Sequence, residues 1–151
     1  MKYDALLDEA NAEGISIKER PFKTYDGRLK GKDIYLRKDM NIVEKTCVLA
    51  EEMGHHYTTV GNILDMESIQ NRKQERQARL WGYNKLIGLT GLIEAYEQGC
   101  QNSHEIAEFL EVTEEFLFFC VETYREKYGE YTEKGSYIIY FIPRLAVLKK
   151  I

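Results

Sequence analysis

Apolar residues recur at helical spacing over most of this chain and alternate with polar residues in only a few short stretches. The first helical stripe ends before Gly14, and glycine suits the left-handed position that follows a helix. The apolar members of this stripe are Tyr3, Leu6, Leu7 and Ala10. The pattern therefore predicts an N-terminal helix packed on a core.

Strand patterns lie near both ends of the chain. Residues 15–22 alternate loosely and contain Pro21, which is typical of an edge strand. Residues 28–29 and 33–36 are separated by a glycine turn and predict a short antiparallel pair. The stretch 136–142 is rich in Ile and Tyr and predicts the strongest strand. A short return strand over 145–148 is predicted after it.

Longer helices are predicted between these strands. One begins after Asn41, which has the spacing of a capping box with Glu44, and it is predicted from residue 42 to about residue 60. A charged helix over 66–87 and a short one over 92–98 follow. The expected fold class is therefore α+β: a mostly helical single domain over 1–151, with a small antiparallel sheet beside the 42–60 helix.

Residues 103–129 have the spacing of a DNA-binding helix-turn-helix, with Ser103 and Thr113 as predicted helix caps. Six glutamates and no Lys or Arg lie between Ser103 and Thr123. Because phosphate contacts need cations, we interpret this part as a packing or protein-contact element within the domain. The formal net charge of −4 also argues against a direct nucleic-acid partner.

Composition and cysteine usage place the protein in an ordinary class. Its 151 residues suffice for one domain with a buried core. No apolar run approaches the roughly 18 residues of a membrane span, and no signal peptide opens the chain, so we expect a cytoplasmic protein without a membrane partner. The three cysteines lack metal-ligand or redox spacing, which predicts reduced buried thiols.

Candidate chemistry is concentrated in Leu-Ala-Glu-Glu-Met-Gly-His-His, residues 49–56. On a helix, Glu51 and His55 stand four positions apart on one face, and Glu52 follows Glu51 directly. Zinc peptidase helices of the His-Glu-x-x-His type use this layout, with two metal ligands and a Glu as general base. A glutamate occupies the first ligand position here. A solvated surface pair is the alternative for so short a pattern.

A second stretch, Glu-Arg-Gln-Ala-Arg-Leu-Trp over residues 75–81, follows twenty residues after His55. Together the two stretches resemble the ImmA/IrrE-like metallopeptidases, which carry L-A-H-E-x-G-H followed by E-x-x-A with an aromatic residue beyond. The resemblance implies a zincin-like domain with Glu51, His55 and Glu75 as metal ligands and Glu52 as the catalytic base. Cys47 is interpreted as core, and Asp65 and Glu67 as weaker candidates for the third ligand.

The resemblance also implies a cofactor and a partner. The cofactor is a divalent metal: zinc, with manganese or iron as alternatives because two carboxylates are present. Relatives cut or antagonise helix-turn-helix repressors of phages and mobile elements, so the expected activity is metal-dependent endopeptidase cleavage of such a repressor. Because of Glu51, the alternative is a catalytically degenerate protein that binds and sequesters the repressor.

Overall fold

The computed structural model describes residues 1–58 and 69–151, and it confirms the α+β class. The chain is divided into two compact units, Met1–Lys85 and Leu86–Ile151. The organisation as one domain over 1–151 stays a prediction. None of the described helices is both long and apolar enough to cross a membrane.

The described residues of the first unit form three helices and a three-stranded sheet. In chain order these are α1 (Lys2–Ala12), β1 (Ser16–Arg20), β2 (Gly27–Lys30), β3 (Asp33–Arg37), α2 (Ile42–Thr58) and α3 (Ile69–Leu86), whose last residue falls just past the boundary. The predicted ends of α2 near residue 60 and of α3 near residue 66 lie outside the described residues.

The sheet of the first unit has the order β1-β3-β2. β2 and β3 pair antiparallel as predicted, and β1 is an edge strand as predicted. β1 pairs with β3 in parallel, which the sequence pattern did not indicate. The reason is topological: the β2–β3 hairpin folds back and places β3 beside β1, running in the same direction.

Helix α2 packs on β2 and β3 through its apolar face. Ile34 and Leu36 of β3 and Leu49 and Met53 of α2 are fully buried there. Asn41 starts the helix with the predicted capping box. Its Oδ1 accepts the backbone N–H of Glu44 at 2.8 Å, and the Glu44 carboxylate accepts the backbone N–H of Asn41 at 3.1 Å.

Small residues bring α2 and α3 into unusually close contact. A Cβ atom at Gly54 would lie 2.1 Å from the backbone oxygen of Ala78, and one at Gly82 would lie 3.4 Å from the backbone of Ala50. Ala50 therefore faces Gly82 and Gly54 faces Ala78, so the two helices run antiparallel. This pairing places the residue after Gly54 opposite the N-terminal half of α3.

The second unit contains α4 (Gly88–Glu97), α5 (Ser103–Leu110), α6 (Glu114–Tyr128), β4 (Tyr131–Lys134), β5 (Tyr137–Tyr140) and β6 (Ala146–Lys149). β5 and β6 confirm the predicted strand and its return strand. β4 was missed, because Tyr-Thr-Glu-Lys is short and polar and gains its strand character by pairing with β5. The three strands form an antiparallel sheet with β5 in the centre.

Two helices, α5 and α6, are found in the stretch predicted to be helix-turn-helix-like, and one of the two predicted caps is wrong. Thr113 caps α6 as predicted, accepting the backbone N–H of Phe116 at 3.0 Å. The cap of α5 is Asn102 and not Ser103, since the Asn102 side chain accepts the backbone N–H of Glu105 at 2.9 Å.

Candidate metal centre

Two helices supply the predicted metal ligands. Glu51 and His55 lie one turn apart on α2, and Glu75 lies near the start of α3. One ligand atom from each of the three side chains can be chosen so that all lie within 4.8 Å of one another. The structure therefore brings together the three residues that the sequence and the resemblance indicated, each half-buried.

His55 and Glu75 form a hydrogen-bonded pair within this group. The Nε2 atom of His55 lies 3.3 Å from Oε2 of Glu75. This hydrogen bond raises the pKa of His55 above its ordinary value, against the effect of burial. The same bond holds the pKa of Glu75 below the usual range of a carboxyl. In the metal-free protein these shifts favour a protonated His55 beside an ionised Glu75.

The donor set fits a divalent metal. Ligand atoms bonded tetrahedrally at about 2.0–2.2 Å from an ion lie about 3.4 Å from one another. The distance between the His55 nitrogen and the Glu75 oxygen, 3.3 Å, is of this size. The Glu51 oxygen lies within 4.8 Å of both, so a small rotation of its side chain would bring it to the same spacing. An imidazole nitrogen and carboxylate oxygens are ligands that zinc accepts, and carboxylates also suit manganese and iron.

Glu52 lies beside the three candidate ligands but is more deeply buried than they are. Its side chain is buried, with 8% of its surface exposed. The pKa of Glu52 is raised to about 7: burial is the largest cause, the carboxylates of Glu51 and Glu75 also raise it, and the His55 side chain partly opposes them. Among the three glutamates of this region, Glu52 is the one with a raised pKa, and burial is the main cause.

Gly27 is a site residue that the sequence pattern did not indicate. It begins β2, and a Cβ atom there would lie 2.4 Å from the Val48 side chain and 3.3 Å from Cγ of Glu52. Glycine thus lets the edge strand β2 lie directly against Glu52. No local pattern distinguishes such a close contact from an ordinary turn glycine.

Arg79 is the second residue that the sequence reading missed. Its Nε atom lies 3.5 Å from Oε1 of Glu51 and 3.3 Å from Oε1 of Glu75. The guanidinium therefore lies between the two carboxylates and offsets part of their charge. Its spacing of four from Glu75 on α3 is the only sequence pattern that indicates this role.

Replacing Arg79 by Gln is expected to tighten metal binding about three- to tenfold. The guanidinium repels a divalent ion held by the same carboxylates, and solvent weakens this repulsion because about half of the arginine side chain is exposed. Calorimetric titration of the metal-free protein with zinc measures the change. Arg76→Gln, on an exposed position of α3, is the matched control. Weaker binding by Arg79→Gln would show instead that the guanidinium holds the ligands in place.

The remaining predicted residues fall outside the cluster. Cys47 is buried and confirms its assignment to the core, and all three cysteines are free of disulfides. The His56 ring packs edge-on against Tyr57, whose ring lies 5.0 Å from that of Trp81. The alternative third ligands Asp65 and Glu67 lie outside the described residues.

The family comparison agrees with this geometry. The model of the IrrE N-terminal-like domain, a peptidase family, matches residues 10–119, which include both ligand-bearing helices. No curated protein matches the sequence. The family match covers well over half of the chain and supports a function of the metallopeptidase type. This chain belongs to the IrrE N-terminal-like domain family of peptidases.

Proposed function

We propose that this protein is a metal-dependent endopeptidase with Glu51, His55 and Glu75 as its metal ligands. The observation that carries the proposal is the convergence of these side chains from two helices, with a buried glutamate beside them. The family match supports the same chemistry. Zinc is the proposed metal, with manganese and iron as alternatives.

In this proposal the residues divide the chemistry between them. A divalent ion, when bound, polarises the scissile carbonyl and makes a water more acidic. Glu52 takes the proton of the attacking water and passes it to the leaving amine. In the metal-free protein burial already raises the pKa of Glu52 to about 7, so the surroundings of this carboxyl favour proton uptake near neutral pH. Burial keeps bulk water from competing for this carboxylate.

The edge strand β2 is the proposed support for the substrate. Its first residue, Gly27, lies against Glu52, and β2 is an edge of its sheet. An extended peptide can add to such an edge by backbone hydrogen bonds. The peptide backbone would then run past the carboxylate that handles the proton.

The proposed substrate is a helix-turn-helix repressor of a phage or mobile element. Its support is the resemblance of the motifs around Glu52 and Glu75 to the ImmA/IrrE-like peptidases. We do not propose nucleic acid or a membrane as a partner. The stretch that contains α5 and α6 has helix-turn-helix spacing but no Lys or Arg from Ser103 to Thr123, which disfavours phosphate contacts.

The test is cleavage of a purified repressor of this class by the protein in the presence of zinc or manganese. Cleavage is expected to stop when a chelator removes the metal and to return when either metal is added back. A repressor that stays intact under every metal condition would contradict the endopeptidase proposal.

The alternative is a protein that inactivates the repressor by binding it without cleavage. Glu51, in the position where the family pattern has a histidine, is the observation that favours it. An added carboxylate lowers the net charge of the site and makes bound water less acidic. Measuring both repressor cleavage and release of intact repressor from its operator separates the two functions.

A further inference from the structure

The sheet of the first unit has a second face that α2 does not cover. Ile34 and Leu36 point from β3 into the core, so Tyr35 between them points to the opposite face. Lys18 and Arg28 are the register partners of Tyr35 on the two neighbouring strands, and both are exposed. A tyrosine therefore lies between two cations on this face.

Aromatic rings and cations alternate across this face. The Phe22 ring lies 4.7 Å from the Tyr25 ring and 6.4 Å from the Tyr35 ring, measured between centroids. The guanidinium of Arg20 lies 5.8 Å from the centre of the Tyr35 ring, and that of Arg28 lies 5.8 Å from the centre of the Tyr25 ring. These contacts hold positive charge over ring faces at one place.

The same residues line a cleft of about 500 Å³. Arg20, Arg28 and Lys30 supply its charges, and Phe22, Tyr25 and Tyr35 supply its ring surfaces. Among the described residues that line it, none is acidic. Carboxylates adjacent in sequence or register to the lining residues have other partners: Asp26 pairs with Arg37 at 3.1 Å, Asp33 lies 4.0 Å from Lys18, and Glu19 pairs with Lys45 at 3.0 Å. The cleft is therefore cationic, and none of its described lining residues neutralises that charge.

Packing alone does not account for this arrangement. Three like charges beside one another repel, and Arg20, Arg28 and Lys30 are all exposed, so the core gains little from them. A cleft of this size is in the range that small ligands occupy. Arginine and lysine recognise phosphate, and aromatic rings stack on flat heterocycles.

We propose that this cleft binds a nucleoside phosphate, with the phosphate held by Arg20, Arg28 and Lys30 and the base against the rings of Phe22 and Tyr25. The proposal needs both the phosphate and the base of the ligand. The cations of the cleft alone would bind any anion, and its aromatic rings alone would bind any flat molecule. Gly27 contacts α2, whereas Arg28 after it points the other way, so the cleft and Glu52 lie on opposite faces of the sheet. The cleft is thus a second site, separate from the metal centre.

Calorimetric titration of the full chain with each of the four ribonucleoside monophosphates tests the proposal. A chelator is present, so that phosphate has no metal to bind. At least one monophosphate is expected to bind about tenfold more tightly than its nucleoside and than inorganic phosphate. The variant Arg20→Ala/Arg28→Ala should lose about tenfold or more in affinity, and Tyr25→Leu should weaken the monophosphate but not inorganic phosphate.

The control is Lys134→Ala/Arg144→Ala, which removes two exposed cations of the second unit and should bind like the native protein. Absence of binding at millimolar concentrations of all four monophosphates would overturn the proposal. Equal affinity for inorganic phosphate would also overturn it, because the rings would then contribute nothing. Binding of a single-stranded oligonucleotide without binding of any monophosphate would assign the face to a polymer and reject the nucleotide site. Circular dichroism checks that each variant is folded.

Discussion

Glu52→Gln is expected to lower peptide cleavage by about 10²–10⁴-fold while fold and metal content stay as in the native protein. Gln has the size of Glu and keeps its hydrogen-bonding capacity, but it cannot accept the proton of the attacking water. Glu52 is next to the ligand group and is not one of the three residues that converge. The loss should therefore appear in turnover and not in metal affinity.

The measurement compares repressor cleavage by native and variant protein at equal, measured metal content. Glu126→Gln is the control, since Glu126 is an exposed helical glutamate of α6. In the sequestering alternative Glu52 is one acidic side chain among many, and the variant should still release intact repressor from its operator. Equal inactivation by both proteins, without cleavage, would decide against the peptidase.

The same variant has a second, non-catalytic consequence. In the metal-free protein the pKa of Glu52 is about 7, above the ordinary value of 4.5 that it takes on unfolding. Its ionisation therefore favours the unfolded state, and this contribution destabilises the protein progressively as pH rises from about 4.5 to 7. Glu52→Gln removes that contribution. Urea unfolding of both metal-free proteins across this pH range should show a weaker pH dependence for the variant.

Local features of the fold could be predicted because their causes are local. The start of α2 follows from Asn41 and Glu44, whose side chains bond each other's backbone within one turn. The end of α1 before Gly14, which has a φ of +77°, likewise follows from one residue type. The parallel pairing of β1 and the formation of β4 depend on partners distant in sequence, so periodicity did not indicate them.

In the candidate site, too, the residues placed by local spacing could be predicted and those placed by contacts between elements could not. The spacing of Glu51 and His55 on one helix places them together, whatever the rest of the fold does. Glu75 was found through a family resemblance, because no spacing rule connects it to His55 across two helices. Gly27 and Arg79 act through contacts between elements, and a single sequence does not show which elements meet.

Gly54→Ala is expected to destabilise the protein by about 2 kcal/mol or more and to weaken metal binding. The added methyl group would lie 2.1 Å from the backbone oxygen of Ala78, which no rotamer change relieves. Overpacking typically costs about 1–3 kcal/mol, and a clash this close with backbone belongs at or above the upper end of that range, so about 2 kcal/mol or more remains after a helix-propensity gain of about 1 kcal/mol. Moving α3 away also moves Glu75 away from His55. Urea unfolding and zinc titration measure the two effects.

Gly91→Ala is the matched control, because Gly91 also lies in a helix but faces a side chain. A Cβ atom there would lie 3.4 Å from Cδ2 of Leu110, which can move by a rotamer change. This variant should keep native metal affinity and change stability by no more than about 1 kcal/mol. If Gly54→Ala behaved like Gly91→Ala, α2 and α3 would not be in backbone contact at Ala78. The placement of Glu75 beside His55, and with it the metal centre, would lose its structural basis.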